Sequence, residues 1–241
     1  MTERPVSRET AALKALVDRY RLPDAALTRL QALLDALRRE PDPHTAVSAG
    51  LAAVEVHVAD SLAGLEVDRL AAADSIADIG AGAGFPGLVL ALALPSARVD
   101  LVESAGRKVD VILRLARAAS ISNAHVIATR AETLAAGEAR GAYAAVTARA
   151  VAALPVLVEY AAPLLRKGGA LVAWKGSRVA DEEDAGRAAA DVVGLAPTAI
   201  VPVQPYADSR DRHLYVYSKV RQTPNRFPRR PGIALKRPLG R

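Results

Sequence analysis

Two rhythms of apolar residues run along the chain, and they change over near residue 73. Between residues 8 and 72 the apolar positions recur at helical spacing. Leu13, Leu16, Val17 and Tyr20 form one stripe and Leu27, Leu30, Leu34 and Leu37 a second, with Pro23-Asp24 between them as break and cap. Pro41-Asp42-Pro43 ends the second helix. A third carries Leu51, Val54, Val58, Leu62 and Leu65 on one face. His57 and Asp60 lie off that stripe, three apart, and are read first as a structural contact and second as a pair meeting a ligand at the rim of the next domain.

From residue 74 short apolar runs alternate with helical stripes, the pattern of a parallel sheet with crossover helices. Strands are expected at 74–79, 98–103, 125–128, 144–149 and 170–174. Helices are expected at 86–94, at 105–119 with Val109, Ile112, Leu113 and Ala116 apolar, along Leu157, Tyr160, Ala161, Leu164 and Leu165, and at 178–193. Two last strands, Thr198–Val203 and His213–Lys219, flank a turn-rich loop and are antiparallel if they form a hairpin. The fold class is α/β: a helical extension over 1–72, a Rossmann-like doubly wound sheet over 73–220 and a tail over 221–241.

The first strand runs into Asp78-Ile79-Gly80-Ala81-Gly82-Ala83-Gly84-Phe85-Pro86-Gly87 and leaves as a helix. Glycines at alternate positions let the backbone turn with positive φ and admit a ligand to contact distance; Gly82 is the position where a side chain would meet it. Pro86 suits a first helical turn, and free N–H groups at that start favour electron-rich ligand groups. Gly82 to Gly87 also satisfies G-x-G-x-x-G, so a nicotinamide or flavin enzyme stays open, as does a turn that merely packs helix on strand. Asp78, two residues before the first glycine, pulls towards motif I of class I S-adenosylmethionine-dependent methyltransferases, which the pattern D-x-G-x-G-x-G resembles. Glu103 at the end of the second strand can accept both hydroxyls of a ribose with either cofactor.

Composition narrows the classes. A chain of 241 residues that is 51% hydrophobic supports one sizeable core with an added element. No apolar run reaches the roughly 18 residues of a membrane span, and Met1-Thr2-Glu3-Arg4-Pro5 does not start a signal segment, so a cytoplasmic protein away from membranes is expected. There is no cysteine, and His44, His57, His125 and His213 are scattered, so no metal is expected. The net charge of +6 is concentrated: Arg221, Arg226, Arg229, Arg230, Lys236, Arg237 and Arg241 lie in the last 21 residues without one acid. Broken by Pro224, Pro228, Pro231 and Pro238, this tail is expected to run extended along a polyanion, or else to be a solvated terminus. Lys175 and Arg210-Asp211-Arg212 are the second place to seek such contacts.

The glycine loop, His57-Val58-Ala59-Asp60-Ser61-Leu62, Arg130-Ala131-Glu132, Thr147-Ala148-Arg149-Ala150, Lys175-Gly176, Pro228-Arg229-Arg230-Pro231-Gly232 and Lys236-Arg237-Pro238-Leu239 together resemble the glucose-inhibited division protein B family, also called RsmG, from about residue 44 to the end. The chain departs from it at Val56-His57-Val58-Ala59, where many relatives carry a basic residue before the histidine and a bulky apolar pair after it. The resemblance implies a class I S-adenosylmethionine-dependent methyltransferase with a C-terminal antiparallel strand pair, acting on N7 of a guanine in 16S ribosomal RNA, free or within the small ribosomal subunit, as a monomer. It implies cofactor contacts at Gly80, Phe85, Ala131, Glu132 and Arg149, with Glu103 on the ribose, and RNA contacts at Lys175, Arg229, Arg230 and Lys236. Arg149 is also the one catalytic candidate, taken as an exposed arginine whose loss touches activity more than stability. Guanine N7 bears a lone pair and no proton, so orientation alone, about 7–11 kcal/mol, supplies the catalysis. Trp174 and Phe85 are candidates to stack on the base. The alternatives are an NAD(P)-dependent oxidoreductase, a small-molecule methyltransferase and a noncatalytic RNA-binding module.

Overall fold

The computed structural model describes residues 7–240. Ser7 caps α1 (Arg8–Tyr20) through the Thr10 N–H. Arg21, in the left-handed region, ends it, and α2 (Ala26–Arg39) begins without a side-chain cap, so Pro23-Asp24 is a break but Asp24 is not a cap. The third helical stretch is not one regular helix. It runs as α3 (Gly50–Ala53), a π-turn (Val54–Ala59), α4 (Asp60–Leu62), a 3₁₀ turn (Ala63–Glu66) and α5 (Asp68–Ala71). The wide turn shifts the phase of the stripe, leaving Leu51 exposed and turning His57 and Asp60 inward.

The remaining elements alternate as expected: β1 (Ser75–Ile79), α6 (Gly87–Ala93), β2 (Arg98–Glu103), α7 (Gly106–Ala118), β3 (Ala124–Ala128), α8 (Ala131–Ala136), β4 (Tyr143–Arg149), α9 (Leu154–Ala161), β5 (Leu165–Lys175), α10 (Ala180–Val193), β6 (Leu195–Pro202), β7 (His213–Lys219) and α11 (Ile233–Lys236). They form one seven-stranded sheet in the order β3-β2-β1-β4-β5-β7-β6. β1 to β5 are parallel, and β7 inserts antiparallel between β5 and β6. Helices α8 and α11 are not expected from the sequence, whose pattern reads residues 129–132 as a loop and the tail as an extended run, and two of the expected helices differ in facing or extent. The buried face of α7 is Val111, Ile112, Leu115 and Ala116, while Leu113 is exposed. Helix α9 stops at Ala161, before Pro163; Leu164 lies in the turn that follows and Leu165 is the first residue of β5.

Alternate residues of each strand feed opposite faces. Ile76 lies in a core with Leu101 and Val172 that also contains Leu30, Leu33 and Leu37 of α2, so the helical extension shares the core of the sheet. Ala77 and Ile79 face the other core, built with α9, α10 and two tail residues, Phe227 and Ala234. Trp174 bridges the two parts, its indole N–H donating to Asp60 O at 2.7 Å. Among the described residues no helix is long and apolar enough to cross a membrane, and no three His, Asp or Glu side chains gather as metal ligands would.

One polar side chain holds the end of α6. The two N–H groups of Asn123 Nδ2 are shared among the carbonyls of Ala91, Leu94 and Ala97 at 3.0, 3.1 and 2.9 Å, tying the last turn of α6, whose Ala91 O lacks a helical partner at Pro95, to the turn before β2. Asn123→Ala is expected to destabilise the protein by about 1–3 kcal/mol, the range for stranding part-buried acceptors, read as a lower urea midpoint at unchanged slope. An unchanged midpoint would show that water replaces the amide.

Candidate functional site

The parallel strands end at one edge, and in such sheets ligands bind outside that edge where the winding reverses, here between β1 and β4. A pocket of about 140 Å³ lies there. Its wall is assembled from Gly80 after β1, Glu103 at the end of β2, Ala131 and Glu132 at the start of α8, Val151 after β4 and Tyr160 on α9. Leu235 of α11 completes it.

Under the glycine loop sits Asp78, 1% exposed. One carboxylate oxygen accepts the Gly87 N–H at 2.9 Å and the other the Thr147 hydroxyl at 2.8 Å. Burial pushes its carboxyl up to about 6, and these two hydrogen bonds oppose the rise. Gly87 is required by close approach, since a Cβ there would stand 2.8 Å from Asp78 Oδ2. The Gly80 and Ala81 N–H groups donate to Val102 O, Gly82 to Glu103 Oε2 and Gly84 to Ala81 O. At the helix start itself the Gly87 and Leu88 N–H groups are taken up internally, by Asp78 and by Gly84 O. A pyrophosphate, which a dinucleotide site seats on that helix start, would face the Asp78 carboxylate in place of donors. Gly82, at φ +60°, faces open space: a Cβ there would have only Gly80 O within 4 Å, at 3.8 Å.

Glu103 is more committed than its sequence position implies. Oε1 accepts the N–H groups of Ser104 and Ala105 at 2.8 and 2.9 Å, and Oε2 that of Gly82 at 3.1 Å. Of the roughly four lone-pair sites of a carboxylate, one is left, enough for one ribose hydroxyl and not both. Glu132 is buried, and its Oε1 accepts the Gly232 N–H at 2.8 Å. Phe85 is also buried, stacked on the His57 ring at 4.4 Å between centroids, and Trp174 is held by Asp60, so neither ring is free to stack on a base.

Arg149 is not an exposed arginine. Its Nη1 donates to Asp60 Oδ2 at 2.7 Å and to Val56 O at 2.8 Å, clamping the π-turn against the end of β4. His57 bonds not Asp60 but Val47 O, through Nε2 at 2.6 Å. Burial lowers its pKa, and the neutral ring keeps a buried Nδ1 that no described group meets. Beside this clamp lies a second pocket, of about 210 Å³, lined by Asp60, Arg149, Trp174, Lys175, Arg212 and His213. Lys175 pairs there with Glu182 at 2.6 Å. The turn after β4 divides the two pockets: Val151 lines the first, while Ala150 and Ala152 line the second. Ala150 makes this possible at φ 56°, a conformation that alanine in the sequence does not signal.

The basic tail is docked rather than extended. Arg229 forms a two-pronged ion pair with Glu159, which is 2% exposed, and also donates to Arg237 O. Arg140 donates to the carbonyls of Phe227 and Thr223, and Arg221 pairs with Asp191. Arg229 is thus a structural cation, whereas Arg230 and Lys236 stay exposed; Arg241 lies outside the described residues. Val151, Tyr160, Leu235 and His213 carried no sequence signal, being single ordinary residues joined to the site only by folding.

A family model described as rRNA small subunit methyltransferase G matches residues 45–215. A ribosomal RNA small subunit methyltransferase G from Rubrobacter xylanophilus is 43% identical over 187 residues, 76% of this chain and 72% of the relative. The enzyme of the same name from Chloroflexus aggregans is 42% identical over 196 residues, 81% and 82% of the two chains. Among solved structures, a 16S rRNA (adenine(1408)-N(1))-methyltransferase from Catenulisporales acidiphilia superposes with a TM-score of 0.53 at 13% identity, over 67% of this chain and 93% of that one, a likeness of fold.

The clamp generates its own prediction. Arg149→Ala strands Asp60, whose side chain is 9% exposed, without its counter-charge. A loss of about 3 kcal/mol is expected, the low end for one partner of a buried pair, because the guanidinium keeps 17% exposure. The double variant Asp60→Asn/Arg149→Ala should be more stable than Arg149→Ala alone in chemical denaturation. Equal stability of the two would mean that Asp60 is solvated once Arg149 is gone.

Proposed function

Because the chain belongs to the family of rRNA small subunit methyltransferase G and is an S-adenosylmethionine-dependent methyltransferase of ribosomal RNA, we propose that its acceptor is N7 of a guanine in the RNA of the small ribosomal subunit, acted on in the cytoplasm by a monomer. The observation that carries the placement is the pair of pockets set back to back across the turn from Arg149 to Ala152. In this reading the strand-edge pocket takes the cofactor. Gly82 leaves room for the cofactor to approach the main chain, Gly80 packs under Val151 in the pocket wall, Glu103 takes one ribose hydroxyl, Ala131 and Glu132 border the adenine, and Phe85 supports the loop from beneath. The bound cofactor supplies a methyl group on a sulfonium.

The pocket beside Arg149 then receives the acceptor base, drawn out of its stack. Guanine presents O6 and N7 together as acceptors on one edge. A donor on O6 fixes the base while N7 stays free to attack, and Arg212 or Lys175 is placed to supply it. The purine gains positive charge as the methyl arrives, and the Asp60 carboxylate lines that pocket. Since N7 carries no proton, the side chains have no base to provide, and orientation accounts for the rate. Lys175, Arg230 and Lys236 are proposed RNA contacts, and Arg229 supports the tail that carries two of them. A nicotinamide enzyme is disfavoured by the carboxylate beneath the helix start.

Two measurements test this. Labelled methyl transfer to small-subunit RNA, followed by mass spectrometry of the nucleosides, should find 7-methylguanosine; a methyl on another atom would overturn the acceptor assignment. For the donor pocket, Gly82→Val puts a branched side chain at φ +60°, costing about 1–2 kcal/mol of strain, into the space left for the cofactor. Titration calorimetry should show S-adenosylmethionine affinity at least a hundredfold weaker in a folded variant and no binding of NAD to the parent. Parental affinity in Gly82→Val would remove the loop from the site.

A further inference from the structure

The tail contributes a wall to the strand-edge pocket, and its attachments converge on that wall. Phe227 and Ala234 are buried in the core beneath α9, and Arg229 locks on Glu159 of the same helix. Gly232, in the left-handed region at φ 82°, turns its N–H onto Glu132 Oε1, so a residue of the pocket itself holds the tail. Next to Glu159 on α9, Tyr160 lines the pocket, its phenol pushed up to about 12 by burial and by Glu132. Three residues on from Gly232, Leu235 reaches the pocket rim.

Leu235 is 54% exposed, above Val179, Val220, Leu113 and Leu51 among the described large apolar residues. An exposed leucine alone means nothing. This one sits on a helix held at both ends, by the Gly232–Glu132 bond before it and by the bond from Arg229, itself locked on Glu159, to Arg237 O after it, at a pocket that Ile79 and Gly80 also line.

We propose that the C-terminal segment is part of the cofactor site: Leu235 forms the apolar outer wall against the adenine face, and tail docking and cofactor binding stabilise each other through Glu132. This rests on the reading that the pocket takes the adenosine of the cofactor. The coupling is reciprocal: whatever favours the docked tail tightens cofactor binding, and cofactor protects the docked tail. The tail then supplies affinity for the methyl donor besides any contact its exposed cations make with RNA.

The test uses the full-length protein and S-adenosylhomocysteine as probe. By calorimetry, Leu235→Ala should bind it about tenfold more weakly while ribosomal RNA affinity changes less than twofold, and Leu235→Met should recover most of the loss. By hydrogen exchange, the probe should slow the amides of residues 232–237 at least tenfold in the parent and not in Gly82→Val. Leu235 touches solvent over half its surface, so its truncation leaves the fold intact. Parental affinity in Leu235→Ala, or exchange in the tail indifferent to a probe that does bind, overturns the proposal and leaves the methyltransferase reading standing. A parent protein that does not bind the probe at all overturns that reading and this proposal with it.

Discussion

A carboxylate sealed beneath a glycine loop is the constraint on which the rest of this site depends. Asp78 is 1% exposed, and a buried carboxylate is tolerated only where hydrogen bonds replace water. Those bonds come from the first turn of α6 and from β4, so satisfying one side chain ties together the strand, the helix that follows it and the neighbouring strand. The same arrangement fixes Gly87, because no side chain fits between the carboxylate and the helix start. It also gives that helix start a negative partner from within the protein. A site of this kind suits a nucleoside cofactor without phosphates, and this physical difference separates two glycine patterns that look alike as sequence.

What was legible in the chain follows from periodicity and from glycine. The strands β1 to β4, the crossover helices other than α8 and the antiparallel closing pair are marked by patterns that local spacing controls. The deviations share a physical origin in contacts between residues far apart in sequence. The π-turn over Val54–Ala59 places His57 against Phe85 and Asp60 against Arg149, and only those distant partners make the wider turn worthwhile. Asn123, an ordinary loop residue by sequence, gains its role because three carbonyls of another segment surround it.

Charge was the least legible feature. Counting seven cations and no acid in the tail treats them as equivalent, yet their partners lie elsewhere in the chain. Arg229 finds Glu159 seventy positions away, and Arg221 finds Asp191 thirty away. A guanidinium in a two-pronged pair with a buried carboxylate is held in place, because releasing it would strand that carboxylate. Arg149 is held in place as well, its Nη1 joining the helical extension to the sheet through Asp60 Oδ2 and Val56 O. Composition therefore predicted the duty of individual residues poorly.

The turn after β4 shows how fold and chemistry meet. Four consecutive residues, Arg149 to Ala152, divide between the clamp on the helical extension, the strand-edge pocket and its neighbour. A regular extended exit from the strand would alternate side chains across the sheet faces. The left-handed residue at Ala150 redirects the chain so that Val151 returns over Gly80 while Ala150 and Ala152 face the other pocket. An alanine in that conformation costs about 1–2 kcal/mol relative to the right-handed region. The strain persists because both ends of the turn are over-determined, by the Arg149–Asp60 pair before it and by α9 after it. The helical extension, which supplies Asp60, and the sheet, which supplies Arg149, are thereby joined at the edge of both pockets.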